Sequence, residues 1–264
     1  MTRAEDLAAS AAAILEAAEL REAGNAAMDQ KLKELIERLK SAYGQRLISV
    51  ILYGSAASGD ADAEFSDMNV LCVLDRVDAK GLALSEPIFH WLKQQKASAP
   101  LLMDQRDVAV STDCFPIEFE DMKDCRRVLY GEDVVATMTI DFSFYRARLE
   151  YELRSKLLRL RHQATPLLSN GEALVRLCAD SVSTFLVLSK HALRIGGHSV
   201  SHRRREILAG LKTSLGGDFS AFEKLLDVRE GKAHRDAVAD PLGLFDNYMN
   251  QIHAVTDYVD GLEK

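Results

Sequence analysis

A short stretch of the chain holds residue types that could seat a cation beside a phosphate. Gly54-Ser55 forms a small, polar break, and Ser66-Asp67-Met68-Asn69 follows at a distance one polar crossing can span. Tight turns built on glycine expose backbone N–H groups, which suit phosphate oxygens. Asp67 and Asn69 are spaced i, i+2, so on a strand their side chains share one face. Oxygen donors on one face suit a hard cation such as Mg²⁺.

Two apolar runs position these groups. Val50 to Leu52 reads as a short buried strand ahead of Gly54, and Val70 to Leu74 as a second one after Asn69. A short helix is expected to start at the Gly-Ser turn, its first amides facing whatever sits there.

Gly54-Ser55, a polar spacer and Ser66-Asp67-x-Asn69 between two apolar strands resemble the mark of the nucleotidyltransferase superfamily, which includes DNA polymerase beta and the aminoglycoside nucleotidyltransferases. The resemblance implies that Gly54, Ser55 and Ser66 bind the phosphates of a nucleoside triphosphate, ATP being the expected one. It implies that Asp67 and Asn69 ligate Mg²⁺ or Mn²⁺ together with a third carboxylate on a neighbouring strand. Glu118, in the apolar-acid-apolar sequence Ile117-Glu118-Phe119, is nominated for that place and as a base, with Glu120 and Asp107 as fallbacks. The implied reaction moves NMP to a hydroxyl of a small molecule or protein, by in-line attack with metal-stabilised charge. The chain departs from the family at two points. Asn69 replaces an acid, so the metal is expected to be weakly held. Ala56, Ala57 and Ser58 stand where a basic residue commonly follows Gly-Ser. Lys123, Arg126 and Arg127, or the helical half, are alternative sources of phosphate-neutralising charge.

The expected architecture is an α/β (α+β) nucleotidyltransferase-like domain with a small mixed sheet over residues 1–140, followed by an all-α bundle over 141–264. Residues 4–41, rich in Ala, Leu, Glu and Lys, are expected to be helical, with a break at Gly24-Asn25. Pro87 to Gln95 is expected to form a helix, with Trp91 as a core residue. Val108–Ser111 and Phe115–Glu120 read as strands, the second by period-two alternation of Phe115, Ile117 and Phe119. Val128–Gly131 reads as a strand or turn closing the domain. Helices are expected near 143–163, 171–195, 200–214, 219–230 and 242–261, separated by glycine and proline breaks.

Charge is uneven. Residues 143–264 carry 18 Lys+Arg against 15 Asp+Glu, which leaves −10 on the front half of a chain with net charge −7. That argues against general nucleic-acid binding, which phosphate neutralisation drives. Four scattered cysteines without Cys-x-x-Cys spacing read as reduced thiols. No apolar run is long enough for a membrane span, so a cytoplasmic protein is the expectation, and a homodimer is allowed. Arg229-x4-His234 looks like the ribonuclease motif of HEPN helical domains, the least favoured of three readings. The other two are an active nucleotidyltransferase and a silent domain that binds nucleotide or a partner protein.

Overall fold

The computed structural model describes residues 24, 26–58, 68–95 and 97–262. The chain divides into two units. One is Met1–Val110 with Cys125–Met138, and the other is Ser111–Asp124 with Thr139–Lys264. The last passage between the units, at Met138–Thr139, lies beside the boundary expected at 140, and Ser111–Asp124 is grouped with the second unit.

The first unit is organised around β1 (Leu47–Tyr53), whose apolar run is buried along most of its length. It pairs antiparallel with β2 (Asn69–Leu74) on one side and with β4 (Arg126–Gly131) on the other. A further strand, β3 (Leu101–Asp104), runs parallel to β2, giving a mixed four-stranded sheet in the order β3-β2-β1-β4. Cross-strand partners project from the same face. Val50, Leu52, Val70, Cys72 and Leu74 therefore form one apolar face. Helix α1 (26–43) supplies Leu32, Leu35, Leu39 and Tyr43 to it, and α3 (Ala79–Gln94) supplies Ile88 and Leu92. Between β1 and β2, α2 (Ser55–Ser58) is the short helix expected after the Gly-Ser turn. The expectations for residues 4–23 and Asn25 lie outside the described residues. Trp91 is partly buried against the core, with the Arg38 guanidinium carbon 4.6 Å above its ring.

Two strand expectations are corrected. Val108–Ser111 falls largely within helix α4 (Gln105–Val110). Asp104 accepts from the Asp107 N–H at 2.8 Å while Asp107 accepts from the Asp104 N–H at 3.2 Å, a reciprocal cap that starts a helix. Phe115–Glu120 likewise lies mostly in helix α5 (Pro116–Asp124). Pro116 takes the first helical position, where its missing N–H costs nothing. Pro116, Phe119 and Met122 are buried at helical spacing.

The second unit is helical: α5, α6 (Tyr145–Ala164), α7 (Gly171–Ile195), α8 (Arg204–Leu215), α9 (Ser220–Arg229) and α10 (Pro241–Gly261). The bundle helices α6 to α10 match the expected segments to within a few residues, because their leucine stripes and glycine or proline breaks are unambiguous. Leu149, Leu153, Leu157 and Leu160 form the buried stripe of α6. A buried ionic group joins α5, α6 and α7. Lys190, 6% exposed, donates to Asp121 and to Asp124 at 2.9 Å. His191 Nε2 lies 2.9 Å from Asp121, its Nδ1 hydrogen-bonds the Tyr145 hydroxyl, and Arg194 donates to Asp124 at 2.7 Å. Burial alone would raise the Asp121 carboxyl. The hydrogen bond and charge of His191, with those of Lys190, outweigh it and hold Asp121 below the usual carboxylate range.

Candidate functional site

The site is assembled at the end of the sheet where β1 finishes. Gly54 turns the chain there with φ +76°, a left-handed conformation that favours glycine. Its N–H donates to the Cys125 carbonyl at 3.2 Å, and its own carbonyl accepts from the Ala57 N–H at 2.9 Å. The corner is thus fixed on one side to the head of β4 and on the other to α2. Asn69 begins β2 directly across from Tyr53. A Cβ built on Gly54 would stand 3.3 Å from the Asn69 side-chain nitrogen, so the amide lies against the corner.

Gly54 and Asn69, two of the nominated residues, are therefore neighbours. Ser55 is the first residue of α2. Ser66 and Asp67 lie outside the described residues. Glu118 is not on a strand: it stands on α5, in the helical unit, so the premise on which it was nominated does not hold. Within that unit, burial raises its carboxyl above the usual range, and the charges of Glu152 and Asp121 add to the effect. The fallback Glu120, on the same helix, pairs with Arg194 at 3.1 Å. The fallback Asp107 serves as the reciprocal cap of α4. β3 carries one acid, Asp104. It is paired with Leu74, at the far end of β2 from Asn69. Five residue steps along the strand separate the two ends, roughly 16 Å.

Few donors for a pair of metal ions lie at the head of β2 among the described residues. Among the described residues no group of three His, Cys, Asp or Glu side chains could hold a metal ion. The head of β2 offers an amide, which brings no charge. The described donors do not make a two-magnesium site, and Asp67 is left as the one acid of the motif.

Of the arginines named for phosphate neutralisation, Arg127 is opposite Leu52, whose side chain belongs to the core beneath α1, and it donates to Asp29 at 2.8 Å. Arg126 is opposite Tyr53, and so shares a face with Asn69. Its Nε donates to Asp133 at 2.9 and 3.1 Å, and its Nη2 at 2.9 Å. Asp133 was not singled out from the sequence; its one signal was its place just after the Gly131 turn. Cys72 and Cys178 are buried, and burial pushes both thiols up to about 12, which suits core packing and not nucleophilic chemistry. Arg229 ends α9, is buried and donates to the carbonyls of Ala179 and Asp180 at 3.2 and 3.3 Å. Gly231 then turns the chain with φ +71°, so Arg229 and His234 do not share the helix a HEPN site would need.

Residues 32–145 match the family model described as the nucleotidyltransferase domain. Among solved structures, the chain is similar to the crystal structure of spectinomycin adenyltransferase AAD(9) from Enterococcus faecialis with ATP and spectinomycin. The TM-score is 0.57 at 11% identity, covering 88% of this chain and 99% of that one. No curated protein matches. Among the described residues no helix is long and apolar enough to cross a membrane.

Proposed function

We propose that this chain, whose residues 32–145 belong to the nucleotidyltransferase superfamily, binds a nucleoside triphosphate at the Gly54 corner and transfers its NMP to a hydroxyl of a small molecule. The observation that carries the reading is the packing of the Gly54 corner against the first residue of β2, at the positions where the family places its phosphate turn and its acids. The Gly54-Ser55 turn and Ser66 would receive the β- and γ-phosphates, and Asp67 and Asn69 would flank the α-phosphate. A magnesium ion arriving with the nucleotide would find Asp67 as its one acidic ligand and be held weakly; the charge it brings would offset that of the phosphates. In the reaction the acceptor oxygen forms a bond to the α-phosphorus, the bond from that phosphorus to the β-phosphate oxygen breaks, and pyrophosphate leaves. The hydroxyl proton passes to water. ATP is the favoured donor and a polyhydroxylated antibiotic-like molecule the favoured acceptor class. Both choices lean on likeness over nearly the whole length to an adenyltransferase crystallised with ATP and spectinomycin.

Asn69 favours one second reading: a silent member of the fold that holds nucleotide and turns nothing over. Incubation with ATP labelled at its α-phosphate, together with spectinomycin and related hydroxylated compounds, separates the two. Label appearing on an acceptor, with pyrophosphate released in equal amount, supports transfer. Nucleotide binding with neither product supports the silent reading.

A further inference from the structure

An acidic polyphosphate needs a cation, and the three residues after the corner, Ala56, Ala57 and Ser58, supply none. The sheet does. Tyr53 is paired with Asn69 on one side and with Arg126 on the other, so all three side chains project from one face at one end of the sheet. Neighbouring strands lie about 4.8 Å apart, which puts the Arg126 backbone about 10 Å from that of Asn69. An arginine side chain and one phosphate together span that gap. The corner is also fastened to this strand, since the Gly54 N–H bonds the carbonyl of Cys125, the residue before Arg126. Arg127 points to the opposite face and is paired with Asp29.

Resting on the nucleotide-binding reading above, we infer that Arg126 contacts the β- and γ-phosphates of the bound nucleotide and that Asp133 holds its guanidinium in place as an internal stand-in for them. The chemistry fits. Asp133 presents two oxygens to the guanidinium fork, and phosphate presents the same pattern with more charge. Both partners reach solvent, Arg126 at 21% and Asp133 at 34% side-chain exposure, so the pair can open without exposing core. Asp133 also accepts from the Ala136 N–H at 3.1 Å, a bond that an asparagine there would keep.

The test is a calorimetric titration of ATP and of AMP, with magnesium present, into the full-length chain and two variants. The expected result is opposite signs. Arg126→Gln weakens ATP about tenfold or more and leaves AMP within about twofold, erasing the preference for triphosphate. Asp133→Asn tightens ATP several-fold, because the guanidinium loses a charged competitor. A pair that merely fastens the 132–137 loop to β4 would give the same sign in both variants, or equal losses for ATP and AMP, and either result overturns the assignment. Thermal melts of each variant identify any loss that comes from unfolding; the Asp133→Asn sign decides if Arg126→Gln does not fold. Should the unaltered chain bind no ATP, the functional reading fails and the role of Arg126 falls with it. If it binds ATP and the signs do not differ, this inference alone is wrong.

Discussion

The Asn69 side-chain amide sits against the Gly54 corner, 3.3 Å from where a Cβ on Gly54 would be. Any side chain at position 54 would press on the head of β2 and force a left-handed backbone at the same time.

Gly54→Ala is therefore expected to cost about 1–2 kcal/mol from the backbone conformation alone. It should also move Asn69 and disturb the bond to Cys125. Urea titration should show the lower stability, and calorimetry should show ATP binding lost under conditions where the variant is still folded.

Asn69→Asp supplies the second acid of the Asp-x-Asp pattern at the head of β2. Magnesium-dependent ATP binding should tighten about tenfold, equivalent to ~1.4 kcal/mol, with little change when magnesium is omitted. Calorimetry with and without the ion checks both halves. The same gain in both conditions would mean that position 69 does not act through a metal.

Much of this arrangement was legible in the sequence. The two strands flanking Gly54, the short helix after it and the bundle helices follow from apolar runs and unmistakable breaks. The helix that carries Glu118 was not. Phe115-Pro116-Ile117-Glu118-Phe119-Glu120 alternates like a strand, but six residues are too few for the period to decide, and the helix buries Pro116 with Ile117 and Phe119 while Phe115 stays exposed. Helical burial at Met122 and the proline at the first helical position decided for helix. Strand β3 was missed because it is only four residues long and follows Pro100. The Arg126–Asp133 pair needed the register of β4 against β1, which no local pattern encodes.

The ionic group of the helical unit gives a pH dependence. Asp121 and Asp124 are held below the usual carboxylate range: burial opposes this, but their hydrogen bonds and cationic partners prevail. A lowered folded pKa adds stability that is present above the unfolded value, about 3.9, and is lost as pH falls through the folded value. Denaturation midpoints should therefore fall steeply below about pH 4. Lys190→Met removes a buried cation from two partly exposed carboxylates that keep His191 and Arg194, and should cost about 1.5–3 kcal/mol at pH 7.

Glu118 carries the opposite sign. Burial, then the charges of Glu152 and Asp121, raise its pKa, and its Oε2 is buried with no hydrogen-bond partner. A raised acid makes folding less favourable as pH climbs past the unfolded value. Glu118→Gln should thus raise the melting midpoint at pH 7 and do little at pH 4. Loss of ATP binding in this variant, with its fold intact, would restore the role first assigned to Glu118 and contradict a purely structural one.

The most direct test of the account is a titration of ATP with magnesium into the unaltered chain, set beside the same titration of Asp67→Ala. Saturable binding in the sub-millimolar to millimolar range, abolished by Asp67→Ala in a protein that melts like the parent, is the expected result. No binding up to millimolar ATP, or binding indifferent to Asp67, would contradict the claim that the Gly54 corner and the head of β2 form a nucleotide site.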